Sequence, residues 1–256
     1  MDIKKLEFPP VSPDAPVVIH VENLVKRFVL RHTRSMKEAF VWLIKGRKGD
    51  LSEKFNALNG VSLDIRQGER VALLGLNGSG KSTLLKMISG VMRADGGEVL
   101  TRGNIAGLIE VGAGFHPDLT GRDNVYLNGA ILGMSKEEIE ASFDSIVDFA
   151  EIHDFIDTEV KFYSSGMFLR LAFAVAVHTS PDIFLVDEIL AVGDEPFQRK
   201  CLDRIHEMQE QGTSLVIVSH DLDLIARLCN RGVLLHHGEL LVDGTAQEAV
   251  DRLRSL

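Results

Sequence analysis

The chain has 256 residues, 45% hydrophobic and 25% charged, the balance of a globular protein long enough to bury a sizeable core. Its 37 acidic residues outnumber its 28 basic ones, and the net charge of −9 argues against nucleic acid as a main partner. Two cysteines cannot build a disulfide framework, no apolar run is long enough to span a membrane, and Met1–Pro10 lacks the apolar stretch of a signal peptide.

Residues 1–16, rich in Pro and Asp, read as a loose tail. Val17–Leu24 reads as a strand. The stretch after it runs against the overall charge: Lys26 to Lys54 holds nine Lys/Arg against three acids, a local +6. Inside it, Met36, Phe40, Leu43 and Ile44 lie at i, i+4, i+7 and i+8, one face of a helix over Ser35–Ile44. A cationic amphipathic helix suits a membrane surface, anionic headgroups or a lipid pyrophosphate. A packing helix with solvated charges, or one docked on a membrane subunit, fits the same pattern.

Val61–Ile65 and Arg70–Leu74 read as strands, and the second runs into Gly75-Leu-Asn77-Gly78-Ser79-Gly80-Lys81-Ser82-Thr83. This matches G-x-x-x-x-G-K-[ST], placed between an apolar strand and the helix-like run Thr83–Ile88. Glycines let such a loop wrap a triphosphate, with backbone N–H groups at the helix N-terminus aimed at the phosphate oxygens. Lys81 then reaches the β- and γ-phosphates, and the Ser82 hydroxyl is placed to ligate Mg²⁺.

Gly97–Leu100 and Ile105–Ile109 read as further strands. Thr120–Gly133, Ser135–Ala150 and Ser165–Thr179 then have helical spacing, with Ser135 and Glu138 forming a capping box. Small residues Ser164, Ser165 and Gly166 precede the apolar helix that starts near Met167, and such a terminus can take an anion. Ile183–Val186 reads as a buried strand ending in Asp187 and Glu188. Asp187 is expected to hold Mg²⁺ through water, and Glu188 to polarise the attacking water as general base. Ser214–Ser219, a second buried strand, ends at His220, which is placed to reach the γ-phosphate or orient the water. Helices are expected at Glu195–Gln211 and Asp221–Leu228, a strand at Arg231–His236, and a hairpin partner at Glu239–Asp243 turned at His237-Gly238. Cys201 and Cys229 read as buried thiols in helical runs, in a reducing cytosol. His20, His153, His178, His206 and the pair His236-His237 show no metal spacing and read as structural.

These motifs, in this order over roughly residues 17–250, resemble the nucleotide-binding subunits of ATP-binding-cassette (ABC) transporters. The resemblance implies an α/β fold: a P-loop NTPase (RecA-like) core with an antiparallel β part and an inserted α-helical subdomain. It implies one nucleotide-binding domain over 17–256. The core is then 17–109 and 181–256, with the basic insertion at 29–54 and a helical lobe at 110–180. It assigns Walker A to Gly75–Thr83 and Walker B to Ile183–Glu188. The signature motif falls at Tyr163–Met167, the D-loop at Leu190–Asp194 and the switch histidine at His220. The implied ligands are ATP and Mg²⁺. The implied partners are a polytopic membrane permease and a second copy of the chain. The resemblance implies that Ser164 and Gly166 serve the ATP held by the other copy, and Ser165 and Asp194 are expected among the nucleotide-binding residues. The adenine is expected to stack on Phe28, with Phe55 as rival.

The sequence departs from the common pattern in its Tyr-Ser-Ser-Gly-Met signature, in Glu110 where a Q-loop glutamine is expected, and in the basic insertion. Glu110 is expected to be a Mg²⁺- or water-facing acceptor, and the segment Glu110–Asn124, with Phe115 and His116, to grip the permease. This combination resembles the ATPases of exporters for lipid-linked O-antigen, teichoic acid and cell-wall galactan. It implies a peripheral subunit on the cytoplasmic face of the membrane, with residues 31–48 receiving the lipid-linked polysaccharide. Ending at Leu256, the chain is expected to lack a C-terminal sugar-binding module. Another ABC transporter, a soluble ABC ATPase and a nucleotide-binding regulator remain alternatives.

Overall fold

The computed structural model describes residues 11–31, 52–108, 114–187 and 194–256. Fifteen-residue strands β1 (Val17–Arg31) and β2 (Ser52–Arg66) pair antiparallel, and β4 (Gly96–Thr101) pairs with the other edge of β1. A six-stranded sheet is ordered β5-β6-β7-β3-β8-β9. Its strands are β3 (Arg70–Leu74), β5 (Ile105–Leu108), β6 (Ile183–Asp187), β7 (Ser214–Val218), β8 (Arg231–His236) and β9 (Glu239–Thr245). All its pairings are parallel except β8 with β9. Parallel strands are covered on both faces, so beyond their first residues, Arg70 and Ser214, β3 and β7 are continuously apolar, and all five residues of each are buried.

The alternate residues of these strands feed two cores. Val71, Leu73, Leu185, Val216 and Val233 pack against β1, β2 and helix α1 (Lys81–Ile88). Ala72, Leu74, Phe184, Val186 and Ile217 face the other way, onto helices α5 (Glu195–Glu210), α6 (Leu222–Leu228) and α7 (Ala246–Arg254). A third core joins α2 (Gly121–Ile131), α3 (Lys136–Ala150) and α4 (Ser165–Val177). Helix α4 belongs to two cores at once: Phe173, Ala176 and Val177 face the large sheet, while Leu171, Ala174 and Val175 face the helical lobe. From Leu171 to Val177 the helix is apolar all round, as a segment buried on both sides requires, with Arg170 immediately before it.

The expected α/β core with its helical lobe is the fold observed. The capping box of Ser135 with Glu138 forms, and the His237-Gly238 turn has both residues at positive φ, 49° and 80°. Three expectations need correction. Residues 29–31 and 52–54, assigned to the insertion, are paired strand, since Val29, Leu30 and Arg31 lie opposite Lys54, Glu53 and Ser52. Cys229 caps the C-terminal end of α6 in an extended conformation instead of lying within the helix. Helix α7, with its own Thr245–Glu248 capping box, was not anticipated. The remainder of the basic insertion, including the Ser35–Ile44 helix, lies outside the described residues, as do Glu110 and Glu188.

Candidate functional site

The register across the parallel sheet gathers the carboxyl ends of three strands. Asp187 pairs with Val218, and Ile217 with Ala72, so Asp187 ends its strand level with Leu73, one residue short of the end of β3. Strand β7 lies between them, so Asp187 and β3 are two inter-strand spacings apart, about 10 Å. Asp187 thus ends on the same edge of the sheet as the loop that leaves β3.

That loop is held in a shape only glycine allows. Gly75, Gly78 and Gly80 have φ of 147°, 79° and 108°. A methyl group on Gly75 would stand 2.3 Å from Ser79 Oγ and 2.4 Å from the Leu235 carbonyl, and one on Gly80 would stand 2.5 Å from the Ala57 carbonyl. At Gly78 the same methyl meets nothing within 4 Å. The loop is therefore clamped at both ends and open in the middle. Its braces are non-local: the Gly238 amide donates to the Ser79 carbonyl at 3.1 Å, and Ala57 of β2 backs Gly80.

The polar groups of the loop suit an anion. Helix α1 starts at Gly80 with no side-chain cap and no acidic residue in its first turn, which leaves its leading N–H groups for a ligand. Lys81 Nζ bends back to donate to the Gly75 and Leu76 carbonyls at 2.8 and 3.1 Å. Ser79 is 4% exposed and its hydroxyl has no hydrogen-bond partner. Ser82 is exposed, and Thr83 half-buried, on the first turn of α1. A cavity of about 330 Å³ brings Asn77 and Lys81 together with Ser219 and His220 from the end of β7. The phosphate loop, Lys81 and His220 thus share one cavity, while Asp187 ends its strand on the far side of β7 and does not line it; the loop, the cation and the unpartnered Ser79 hydroxyl fit a phosphate chain.

The two aromatic rivals turn out to be neighbours. Phe28 on β1 and Phe55 on β2 are directly opposite in the ladder, on one face, and are 37% and 45% exposed. Ala57, which backs Gly80, is two residues along β2 from Phe55, so the strand carrying the ring touches the phosphate loop.

Other predicted residues do not line this cavity. Ser164 caps α4, accepting from the Met167 amide at 3.2 Å; Ser164 and Ser165 are exposed, and a methyl on Gly166 would have only Ser164 Oγ, at 3.8 Å, for company. Asp194 caps α5 through the Phe197 amide at 3.3 Å and pairs with Arg170 at 2.8 Å. Phe115 turns into the helical lobe with its ring 5.1 Å from that of Phe168, whereas His116 stays exposed. Fully buried Asn124 donates to the His116, Leu119 and Thr120 carbonyls and accepts from the His116 amide, which pins residues 116–120.

His20 has neighbours that its spacing did not reveal. It comes within 4.8 Å of Glu22 and, across the β1–β4 pairing, of Glu98, a geometry able to hold a cation. Its Nδ1 lies 2.5 Å from Asp64, and that hydrogen bond, ahead of the nearby charges, raises its pKa above 6.5.

The fold and site define a P-loop nucleotide-binding protein of the ABC type. The sequence model of the ABC transporter family matches residues 58–191, and the chain belongs to that family. It is 46% identical over 216 residues to the ABC transporter protein AbcA of Aeromonas salmonicida, covering 84% of this chain and 70% of that one. It is 37% identical over 246 residues to the O-antigen export system ATP-binding protein RfbB of Klebsiella pneumoniae, covering 96% of each. It is 46% identical over 201 residues to the teichoic acids export ATP-binding protein TagH of Lactiplantibacillus plantarum, covering 78% of this chain and about half (55%) of that relative. Among solved structures, an ATP-binding subunit of an ABC transporter superposes with a TM-score of 0.73 at 23% identity, over 93% of this chain and 95% of that one. A dimeric bacterial ABC transporter cassette, MJ0796, superposes with a TM-score of 0.70 at 26% identity, over 89% and 98%. Family membership makes the chain an ATPase. No helix among the described residues is long and apolar enough to cross a membrane.

Proposed function

We propose that the chain is the ATP-hydrolysing subunit of an exporter that moves a lipid-linked cell-surface polysaccharide across the cytoplasmic membrane. The observation that carries this reading is the match to an O-antigen export ATP-binding protein over 96% of both chains. The departures at Glu110, the signature and the basic insertion agree with it. The protein works at the cytoplasmic face, with a polytopic permease and a second copy of itself.

Each site residue has a role in this reading. Gly75–Thr83 cradles the triphosphate of ATP, and Lys81 leaves its two loop carbonyls for phosphate oxygens. Ser82 and Asp187 hold Mg²⁺, with Glu110 as a further acceptor; the ion, when bound, neutralises charge on the transferring phosphate. Glu188 takes the proton of the attacking water and His220 orients it. Phe28 and Phe55 together offer a stacking wall for the adenine. Ser164, Ser165, Gly166 and Asp194 serve the ATP held by the second copy, which agrees with the exposure of Ser164, Ser165 and Asp194 and with the absence of all four from this chain's own phosphate cavity. Movement passes to the permease through the segment Glu110–Asn124, whose Phe115 contacts Phe168 near the start of α4. Residues 31–48 receive the lipid pyrophosphate.

A strain expressing Lys81→Ala in place of the wild-type chain tests the export reading. Lipid-linked polymer is expected to accumulate inside and to disappear from the surface. Normal surface polymer in that strain contradicts the assignment.

A further inference from the structure

We propose that Arg170 is a positioning residue of the ATPase: a latch that holds Asp194, at the start of α5, in fixed relation to helix α4. The inference rests on the reading that Ser164 and Asp194 both serve the ATP of the second copy.

The latch is built from three chain segments. One guanidinium nitrogen of Arg170 lies 2.9 Å from Glu151 Oε2, and another lies 2.8 Å from Asp194 Oδ1. The guanidinium also lies over the ring of Phe197, 4.8 Å from its centroid, and Phe197 is 1% exposed. Glu151 ends α3 in a left-handed conformation, φ 57°, and Asp194 begins α5. Lys200 of α5 ties the same place, pairing with Glu151 at 3.3 Å and donating to the Asp148 and Phe149 carbonyls. The side chain of Arg170 is only 20% exposed, while the carboxylates of Asp194 and Glu151 that it bridges are 62% and 52% exposed and reach water, so the link acts through geometry more than through stability.

Stability alone does not require this arrangement. Asp194 Oδ1 already caps α5 through the Phe197 amide. The second bond, to Arg170, adds a link to a different element. Arg170 stands six residues after Ser164 along a regular helix, about 9 Å of rise. In sequence, Asp194 closes the stretch that follows Asp187 and contains Glu188. Helix α4 therefore connects Ser164, the group presented to the second copy's ATP, with Asp194, which stands seven positions after this copy's own metal ligand Asp187 in the sequence. Displacing Asp194 displaces α4, and each nucleotide site senses the other. Only a planar fork spans both carboxylates at once, so lysine is a poor substitute.

The test is steady-state ATP hydrolysis by the full chain, with thermal melts in parallel, for wild type, Arg170→Met, Arg170→Lys and Asp194→Ala. Arg170→Met keeps the apolar stem over Phe197. It is expected to lower kcat tenfold or more, toward the ~10²-fold that loss of positioning can reach. KM for ATP should stay within about twofold, because the phosphate loop is untouched, and the Hill coefficient should fall toward one. Arg170→Lys should recover only part of kcat. Arg170→Met combined with Asp194→Ala should lose no more than the worse single variant, the signature of a shared interaction. An Arg170→Met enzyme with wild-type kcat and Hill coefficient, whatever its melting temperature, overturns the proposal. So does full additivity in the double variant. If wild type and Glu188→Gln hydrolyse ATP equally, the assignment of the site itself fails, a result distinguishable from failure of the latch.

Discussion

Replacing glycines of the phosphate loop one at a time should separate backbone clamping from ligand contact. Gly78 and Gly90 have nearly the same φ, 79° and 76°, and a methyl on either meets nothing within 4 Å. Each substitution to alanine therefore carries only the left-handed penalty of about 1–2 kcal/mol, partly offset by the stiffer unfolded chain. In a chain of this size that lowers Tm by roughly 2–8 °C. Gly80→Ala adds steric overlap, with the methyl 2.5 Å from the Ala57 carbonyl and 2.8 Å from Leu58 Cδ2. Strain of about 1–3 kcal/mol on top of the φ penalty gives a total of about 2–5 kcal/mol and a clearly larger Tm loss. Gly75→Ala, between Ser79 Oγ and the Leu235 carbonyl, belongs with Gly80→Ala. Scanning fluorimetry with and without Mg-ATP reads both effects. Gly78→Ala and Gly90→Ala should melt alike without nucleotide, and only Gly78→Ala should lose stabilisation by ATP. A Gly78→Ala protein as unstable as Gly80→Ala, or equal loss of ATP stabilisation in Gly90→Ala, refutes the description of the loop as clamped at its ends and open at its centre.

Two further outcomes follow from buried and paired groups. By NMR titration His20, hydrogen-bonded to Asp64, should hold its proton above pH 6.5, and half-buried His178 should lose its proton below 6.5 because burial disfavours the charge. Hence His20 stabilises the fold at low pH and loses that contribution as the pH rises through its folded value, whereas His178 favours the unfolded chain as the pH falls past 6.5; a reversed order of the two titrations contradicts the pairing of His20. Burial pushes the Cys201 and Cys229 thiols up to about 12, so neither should react with iodoacetamide at pH 8 until the chain is denatured, and rapid labelling of the native protein would contradict their burial.

What was readable in the sequence was mostly local. The strands β3, β6 and β7 are apolar runs because both faces of the sheet are covered, and the phosphate loop follows β3 directly. Capping residues at Thr120, Ser135 and Asp221 mark helix starts that the structure keeps within a residue. Cross-strand events were not readable. The far ends of β1 and β2 carry Lys26, Arg27, Glu53 and Lys54, a polar pattern that hides the pairing holding them in register. The same ladder sets Phe28 opposite Phe55, a juxtaposition visible only once both strands are paired. The His20 cluster depends on Glu98 from β4 and on Asp64 from β2, and the Arg170 bridge joins residues 19 and 24 positions away. Helix α7 did carry a local signal, Thr245-Ala-Gln-Glu248, in a stretch too short for its periodicity to stand out.

The central claim is that two copies enclose Mg-ATP and that Glu188 is needed to cleave it. Light scattering of Glu188→Gln with and without Mg-ATP tests it most directly. The account predicts that ATP doubles the mass from 28.2 kDa, that ADP does not, and that no phosphate is released. A protein that keeps its monomer mass at saturating ATP, or one that still hydrolyses it, contradicts the account.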